Sequence, residues 1–443
     1  MLDKIFGWNK KKAEPQQKEP AISFGRYSDN NKPVAKVNRW TDADSLFKEK
    51  KYTESFDAFF DYLRDDAESN VVHERNGAEG RFQFYQGSKI VRGSYDNEHL
   101  KAEVTLAKMP QPNMPVMRRL LEMNFNLYYS RYALVEERLC MRFDSDIETA
   151  NPSKLYYGLK ELATKADKQD DLLIQDFTSL QPLDTEHIIE IPVEEKEIKY
   201  LWFQKWITDT VSYIKTLDAD KFSGGNAYML LALAYRIDYL IVPEGKVLRE
   251  IEKIVDIYFK KEERQVIEKN RDMIIEFEKL VTFSKEEVFG SLYRSKHSFA
   301  VVSPQNWKTI ADGIYNANQN VNWYRDNNYP NIAAQISEYA IAYCQFSYSL
   351  PRPVTELFHL MMRVNYRDYF KALGFIKTYY DPETKDFDSK KIETKISSII
   401  EKWRAKYPKL KMKIDKIKFD NLMEFNLSFT TEIEFLNLET SSK

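Results

Sequence analysis

Within five residues the stretch "NPSKLYYGLKELATKADKQDDLL" (151–173) places three carboxylates, Asp167, Asp170 and Asp171. On a helix Asp167 and Asp171 are four residues apart and share a face, with Asp170 beside them. Facing carboxylates bind a hard cation or exchange a proton. The same stretch carries an apolar stripe of Leu155, Leu159, Leu162, Ala166 and Leu173, which defines the buried side. With that stripe inward the aspartates point to water, and Lys160, Lys165 and Lys168 lie close enough to neutralise them. Solvated carboxylates make poor catalysts. The expectation is the outer face of a structural helix.

The other chemistry-bearing residues are dispersed. His73, His99, His187, His297 and His359 form no HxH or HExxH pair, so a zinc site would need ligands gathered from distant segments. His359 lies in "TELFHLMM" and reads as a satisfied core histidine. Cys140 falls in a strand pattern and Cys344 in an apolar helix, neither beside a histidine in sequence. There is no GxSxG, P-loop or GxGxxG. Gly224-Gly225 opens a helix, with Asn226 as a candidate cap. No catalytic residue, cofactor or metal is expected. One aromatic stretch remains, "NWKTIADGIYNANQNVNWYRDNNYPN" (306–331), where Trp307, Tyr315, Trp323, Tyr324 and Tyr329 alternate with asparagines. Such rings suit a partner surface or an extended peptide, and they also stack sugars or bases; helix packing is the structural alternative.

The elements that must position these residues read as follows. Residues 13–38 are polar and Pro-bearing, an extended arm. In "WTDADSLFKEKKYTESFDAFFDYLRD" (40–65), Phe56, Phe59, Phe60 and Leu63 mark an amphipathic helix that Thr41 or Asp42 can cap. Period two follows, with Phe82 and Phe84 on one strand face and Leu100, Ala102, Val104 and Leu106 on another. Pro115 suits the first turn of a short helix marked by Val116, Leu120, Leu121 and Met123. A hairpin turns near Glu136 and Glu137, and Asn151-Pro152 starts the closing helix. Residues 180–197 read as a domain connection. Beyond them the pattern is mostly helical, including a buried helix at 224–242 and one long charged helix at 246–280. "SFAVVS" (298–303) is a lone strand or a buried connector. Further helices fall at 303–326, 330–350, 353–374 and 389–406. Alternation of Met412, Ile414, Phe425, Leu427, Phe429, Ile433 and Phe435 predicts a terminal hairpin or sheet edge.

Composition sets the bounds. A chain of 443 residues exceeds one ordinary core. Lys+Arg 66 against Asp+Glu 68 gives no broad electropositive face, so no nucleic acid is expected. Two cysteines build no disulfide framework and fit a reducing cytoplasm. No apolar run reaches transmembrane length. Leu2, Ile5, Phe6 and Trp8 form a short N-terminal stripe before three lysines, which reads as a frayed terminus or a peripheral membrane or partner tether rather than a signal peptide.

The order of elements in 41–177 resembles the YbjN family and the related class I type III secretion chaperones, which share an α-β-β-β-α-β-β-α fold. The likeness rests on "YTESFDAFFDYLRD", "YALVEERLCMRF" and above all the closing-helix stretch at 151–173. It covers about a third of the chain; 198–443 resembles no family, and the first meander is only partly legible between Val71 and Lys108. The resemblance implies a non-enzymatic, commonly dimeric protein that holds client segments against hydrophobic patches.

The expected architecture is α+β: an arm over 1–40, a chaperone-like domain over 41–179, a linker over 180–197, and a mostly helical domain over 198–443 with a C-terminal β-hairpin. The expected function is protein binding as a chaperone-like protein or adaptor. Phe82, Phe84, Trp307, Trp323 and Tyr324 are the contact candidates. A scaffold tethered by its N-terminus and an enzyme with a site between the domains are the alternatives.

Overall fold

The computed structural model describes residues 19–28, 32–66, 68–184 and 187–440. The side chains of Asp171 and Gln175, and the stripe Leu2, Ile5, Phe6 and Trp8, lie outside the described residues.

The chain is α+β and buries two hydrophobic cores. The N-terminal core is built by α1 (Val34–Lys48), α2 (Tyr52–Leu63), β1 (Val71–Asn76), β2 (Glu79–Gln86), β3 (Lys89–Tyr95), β4 (His99–Lys108), α3 (Met114–Asn124), β5 (Arg131–Val135), β6 (Arg138–Asp146), α4 (Pro152–Asp176) and β7 (Gln181–Pro182). This order has one more helix and two more strands than the α-β-β-β-α-β-β-α pattern. The sheet is antiparallel in the order β1-β2-β3-β4-β6-β5, and β7 pairs with the end of β4. Phe84 faces Val91, Val91 faces Val104, and Val104 faces Met141, so one face is continuously apolar. The opposite face carries Gln83, Arg92, Glu103, Arg142 and Arg131 in register. Glu103 there pairs with Arg138 and Arg142.

The helix expected over 40–65 is two helices. Its first part starts at Val34, so neither Thr41 nor Asp42 caps it, and Lys50 turns the chain in a left-handed conformation. Ala43 and Phe56 are thirteen residues apart, about 140° out of phase on one continuous helix. Only folding back buries both, and Ser55 Oγ donates to Ala43 O across the junction. α4 forms as its sequence predicts. Asn151 Oδ1 accepts from Lys154 N, Pro152 takes the first turn, and Leu155, Leu159, Leu162, Ala166 and Leu173 pack onto the sheet.

The second core is built by β8 (Ile189–Glu190), α5 (Val193–Lys215), α6 (Ser223–Arg236), α7 (Gly245–Phe259), α8 (Val266–Val281), α9 (Lys285–Gly290), β9 (Tyr293–Arg294), α10 (Trp307–Asp326), α11 (Pro330–Ile336), α12 (Tyr339–Ser347), α13 (Arg352–Asn365), α14 (Arg367–Ala372), α15 (Ser389–Trp403) and α16 (Leu422–Glu434). The long helix expected over 246–280 is the pair α7 and α8, the second started by a reciprocal capping box of Gln265 and Glu268. Asn226 is not a cap: α6 begins at Ser223, with Phe222 at the N-cap position.

The terminal hairpin is a helix, α16. Phe425, Phe429 and Ile433 are spaced by four, a step that fits alternation and a helical face equally well. Asn421 decides between them, because its Oδ1 accepts from Glu424 N and starts the helix. No helix among the described residues is long and apolar enough to cross a membrane.

The two cores are stitched together by chain segments that cross between them. Residues 19–28, expected as a free arm, lie as a strap along the helical half, where Ile22 and Phe24 pack against its core. In return 298–303 is a connector and not a strand, buried over Ser298, Phe299 and Ala300 and exposed at Val301. Phe299 enters the N-terminal core against Phe84 and Tyr156, with ring centroids 5.6 and 5.3 Å away. The Gln86 side chain holds it there like a backbone partner. Its Oε1 accepts from Phe299 N at 3.0 Å and its Nε2 donates to Phe299 O at 3.2 Å. Phe299→Ala is therefore expected to cost about 3–5 kcal/mol. Urea denaturation should show the loss in the N-terminal half as well as the C-terminal one, because the side chain belongs to the other half's core.

Candidate functional site

Asp167 and Asp170 meet the tip of the β2–β3 hairpin. Gly87 turns there at φ 55°, and a Cβ on it would sit 2.0 Å from Asp167 Oδ1, so only glycine lets helix and turn approach. Asp167 Oδ1 accepts from Ser88 N at 2.7 Å and from Ser88 Oγ at 3.2 Å. Asp170 is 2% exposed; its Oδ2 accepts from Ser88 Oγ and pairs with Lys89 Nζ, both at 2.8 Å. Lys89 Nζ also donates to Leu106 O and Leu183 O, so its three protons have three acceptors. This corrects the expectation of solvated aspartates neutralised by neighbouring lysines of the same helix. Asp170 is buried, and its partner comes from the sheet. Lys168 turns the other way, to Glu252 of α7 at 2.9 Å.

Beyond these aspartates a cleft of about 730 Å³ opens between the two halves. Its walls come from α4, the hairpin tip, the strap, the α6–α7 junction and residues 291–299. The junction has unusual backbone. α6 runs into a π-helical turn at Ile237–Ile241, then Val242 is left-handed at φ 53° and Gly245 at φ 52°. A β-branched residue at positive φ is strained, and π turns recur at functional sites. The turn's carbonyls find partners elsewhere: Gly25 N donates to Tyr239 O, and Tyr369 Oη to Leu240 O. Asp238 on this turn pairs with strap residue Arg26 at 2.8 Å, and Arg26 also reaches Glu252 at 3.2 Å. Glu252 thus takes one cation from the strap and one from α4.

Glu244 is the distinctive carboxyl of the cleft. It occupies the N-cap position of α7 without capping it, and its hydrogen bond from Ser295 Oγ is long, at 3.4 Å. Burial first, then the charge of Asp167, push its pKa up to about 8, against the pull of Arg26. A protonated carboxyl beside Asp167 has the chemistry of an acid–base pair. Asp170 Oδ1, also on this wall, has no hydrogen-bond partner among the described residues. Across the cleft His297 stacks on Tyr27 at 5.9 Å, and burial lowers its pKa to about 4. Among the described residues no group of three or more His, Cys, Asp or Glu is placed to hold a metal ion.

The five contact candidates do not form one site. Phe82 and Phe84 are core residues; Phe82 stacks on Phe60 with centroids 4.5 Å apart, and neither offers surface to a partner. This corrects their assignment as sheet contacts: the exposed face of the sheet is the polar one. Trp307 lines a separate hollow of about 390 Å³ beside Tyr62 and Tyr407. Sixteen residues on, about 24 Å along α10, Trp323 is exposed and packs edge-on against buried Tyr324. His359 is a core histidine between Phe24 and Phe370, and burial, with Arg363 nearby, lowers its pKa to about 4. Burial raises the Cys140 and Cys344 thiols to about 11 and 12.

A row of exposed apolar residues lies instead on α3, while others such as Leu201 and Phe435 stand elsewhere on the surface. Val116, Leu120 and Met123 face the core, while Met114, Leu121 and Phe125, spaced by seven and four, line the outer face. Phe125 and Tyr128 are each 92% exposed. Glu161 of α4 fixes the following loop by accepting from Tyr128 N, Tyr129 N, Ser130 N and Ser130 Oγ at 2.8–2.9 Å. Burial alone would raise its pKa; those bonds outweigh it and hold the carboxyl below its ordinary value. Leu121 was legible only as one more apolar residue of a short helix, and nothing in the sequence set it apart from Leu120. Arg236 and Asp238 inside an apolar stretch were the available signal for the buried ion pairs. No protein-family model matches this sequence, and a search of curated proteins finds no match.

Two outcomes follow. Asp170→Asn leaves Lys89 buried without a counter-charge and is expected to cost about 3–5 kcal/mol, largely recovered by the double change Lys89→Met/Asp170→Leu; thermal melts of the wild type and the two variants check it. Glu244 binds its proton up to about pH 8 when folded, but only up to about 4.5 when unfolded. The folded state therefore holds the extra proton in that window, and stability falls as pH rises through it. His297 and His359 are held to about 4 when folded against an ordinary 6.5, and the Cys140 and Cys344 thiols ordinarily ionise only near 9, so Glu244 dominates the slope between pH 7 and 8.5. Glu244→Gln should flatten the Tm profile there and melt above the wild type at pH 8.5.

Proposed function

We propose that this chain is a non-enzymatic protein-binding protein, chaperone-like or an adaptor, that works as a homodimer joined through α3. One observation carries the reading: Met114, Leu121, Phe125 and Tyr128 stand exposed on one fixed surface. Large apolar side chains in a row mark association sites. The row is also self-complementary. In an antiparallel two-fold pairing of α3 with a second copy, Met114 of one copy meets Phe125 of the other. Arg118, bonded to Glu122 within its own helix at 3.1 Å, then lies opposite Leu121 and one residue from Glu122 of the other copy. The edge strand β5 adjoins this helix and extends the surface. The cleft fits the same reading, since its acids Asp170, Asp238, Glu252 and Glu287 pair with Lys89, Arg26, Lys168 and Lys246 of the chain itself. Two of those pairs, Asp238 with Arg26 and Glu252 with Lys168, clamp the halves together, and the other two close within one half each.

Light scattering on the full chain tests the dimer. The wild type is expected at twice the chain mass. Leu121→Asp and Phe125→Asp, each removing about 2 kcal/mol or more of interface, should give monomers with unchanged circular dichroism. A wild type that is monomeric at tens of micromolar (about the range where weak dimers form) and recovers no partner from its cell would overturn the reading.

A further inference from the structure

We propose that the groove under residues 19–28 is a peptide-receptor site, filled in cis by its own strap and in trans by the strap of a second copy. The strap is bound as an extended peptide is bound, by side-chain anchors in matching pockets rather than by a strand ladder. Glu19 grips the Arg363 guanidinium through both oxygens at 2.8 and 3.1 Å and accepts from Lys377 N at 3.2 Å. Arg363 is itself buried.

Five residues on, Phe24 enters a ring-lined pocket, with His359, Phe370 and Phe375 at 5.2, 5.3 and 6.0 Å. Gly25 presses onto Tyr239, where a Cβ would come within 2.7 Å of the ring, and its N–H donates to Tyr239 O at 2.9 Å. Its φ of 75° also favours glycine. Arg26 follows, paired with buried Asp238 and lying 4.3 Å over the Phe346 ring. Last, the Ser28 hydroxyl hydrogen-bonds that of Ser349.

The pattern is thus a carboxylate, then an aromatic-Gly-guanidinium triplet, each met by its chemical complement. Such a groove depends on the strap to be complete. Without it the buried Asp238 loses its cation, the π-helical turn loses a hydrogen-bond donor, and the cleft loses one wall. A groove with those unmet partners recaptures any segment of the same chemistry, and a second copy supplies that segment.

A covalent trap reads the exchange. Ser349 is 1% exposed, so a thiol placed there meets only what lies in the groove. Ser28→Cys in one full-length copy and Ser349→Cys in a copy with a larger tag are mixed under mild oxidation, which removes two electrons and two protons as the disulfide forms. A tether this short gives the cis strap an effective concentration of about millimolar. Trans capture is therefore slow at micromolar chain and should rise in proportion to concentration.

The expected product is a mixed-tag disulfide dimer. Phe24→Ala in the Ser349→Cys copy should increase it about tenfold by loosening the resident strap, and the same change in the Ser28→Cys copy should reduce it about tenfold. The double variant Ser28→Cys/Ser349→Cys should close within one chain. No mixed dimer, or one indifferent to Phe24, overturns the proposal. A fluorescent peptide of residues 19–28 gives a thiol-free check. It should bind the full-length Phe24→Ala chain and compete with unlabelled peptide, and absence of binding to that folded chain also overturns the proposal. Repeating the trap with Leu121→Asp separates it from α3 pairing, because the strap and α3 share no residue.

Discussion

The buried pair of Lys89 and Asp170 is the constraint on which the rest of the arrangement rests. An ammonium and a carboxylate out of water are tolerated only when each is matched and hydrogen-bonded. Lys89 meets that demand with Asp170 and two carbonyls, one from β4 and one from the segment after β7. Three things follow. The β2–β3 tip is held to α4, the start of the inter-domain connection is held to the sheet, and α4 is fixed in rotation. That rotation carries Asp167 and Lys168 toward the other half and so builds one wall of the cleft.

The opposite wall is held by reciprocal exchange of segments. The N-terminal strap anchors in the helical half while Phe299 of the helical half anchors in the N-terminal core. Each half thus contains a part of the other, and the connector's backbone is satisfied by Gln86 and Asn70 rather than by strands. At the junction Val242 is a β-branched residue at positive φ, and there the π turn and two left-handed residues aim Glu244 into the cleft instead of onto its own helix. The outward face of α3 is free of these demands. Its loop is locked by Glu161, which leaves Phe125 and Tyr128 presented on a firm support.

Much of the fold was legible where one period dominated. α4 carries its cap, its first-turn proline and its stripe in sequence, and the hairpin of β5 and β6 alternates clearly. Errors arose where two periods coincide or where a turn has no strong marker. α16 repeats at four, which alternation also satisfies, and Lys50 turns the chain without glycine or proline. For the candidate site the pattern identified the aspartates as helix residues but placed them in water. The stripe fixes which side of α4 meets the sheet; it is silent about a hairpin tip folding over the helix's flank.

By itself the sequence determined the α+β class, the closing helix with its buried stripe, the core histidine at His359 and the buried thiols, because each depends on neighbours within a few residues. Only the tertiary structure decided that Asp170 is buried against Lys89, that Glu244 and Asp167 share a cleft, that Phe82 and Phe84 are interior, and that the strap fills a groove. The polar outcomes among these join residues far apart in the chain, 77 positions for Asp167 and Glu244, 81 for Lys89 and Asp170 and 344 for Glu19 and Arg363. Their charges and rings acquire meaning from the desolvation that packing imposes, which no local pattern encodes.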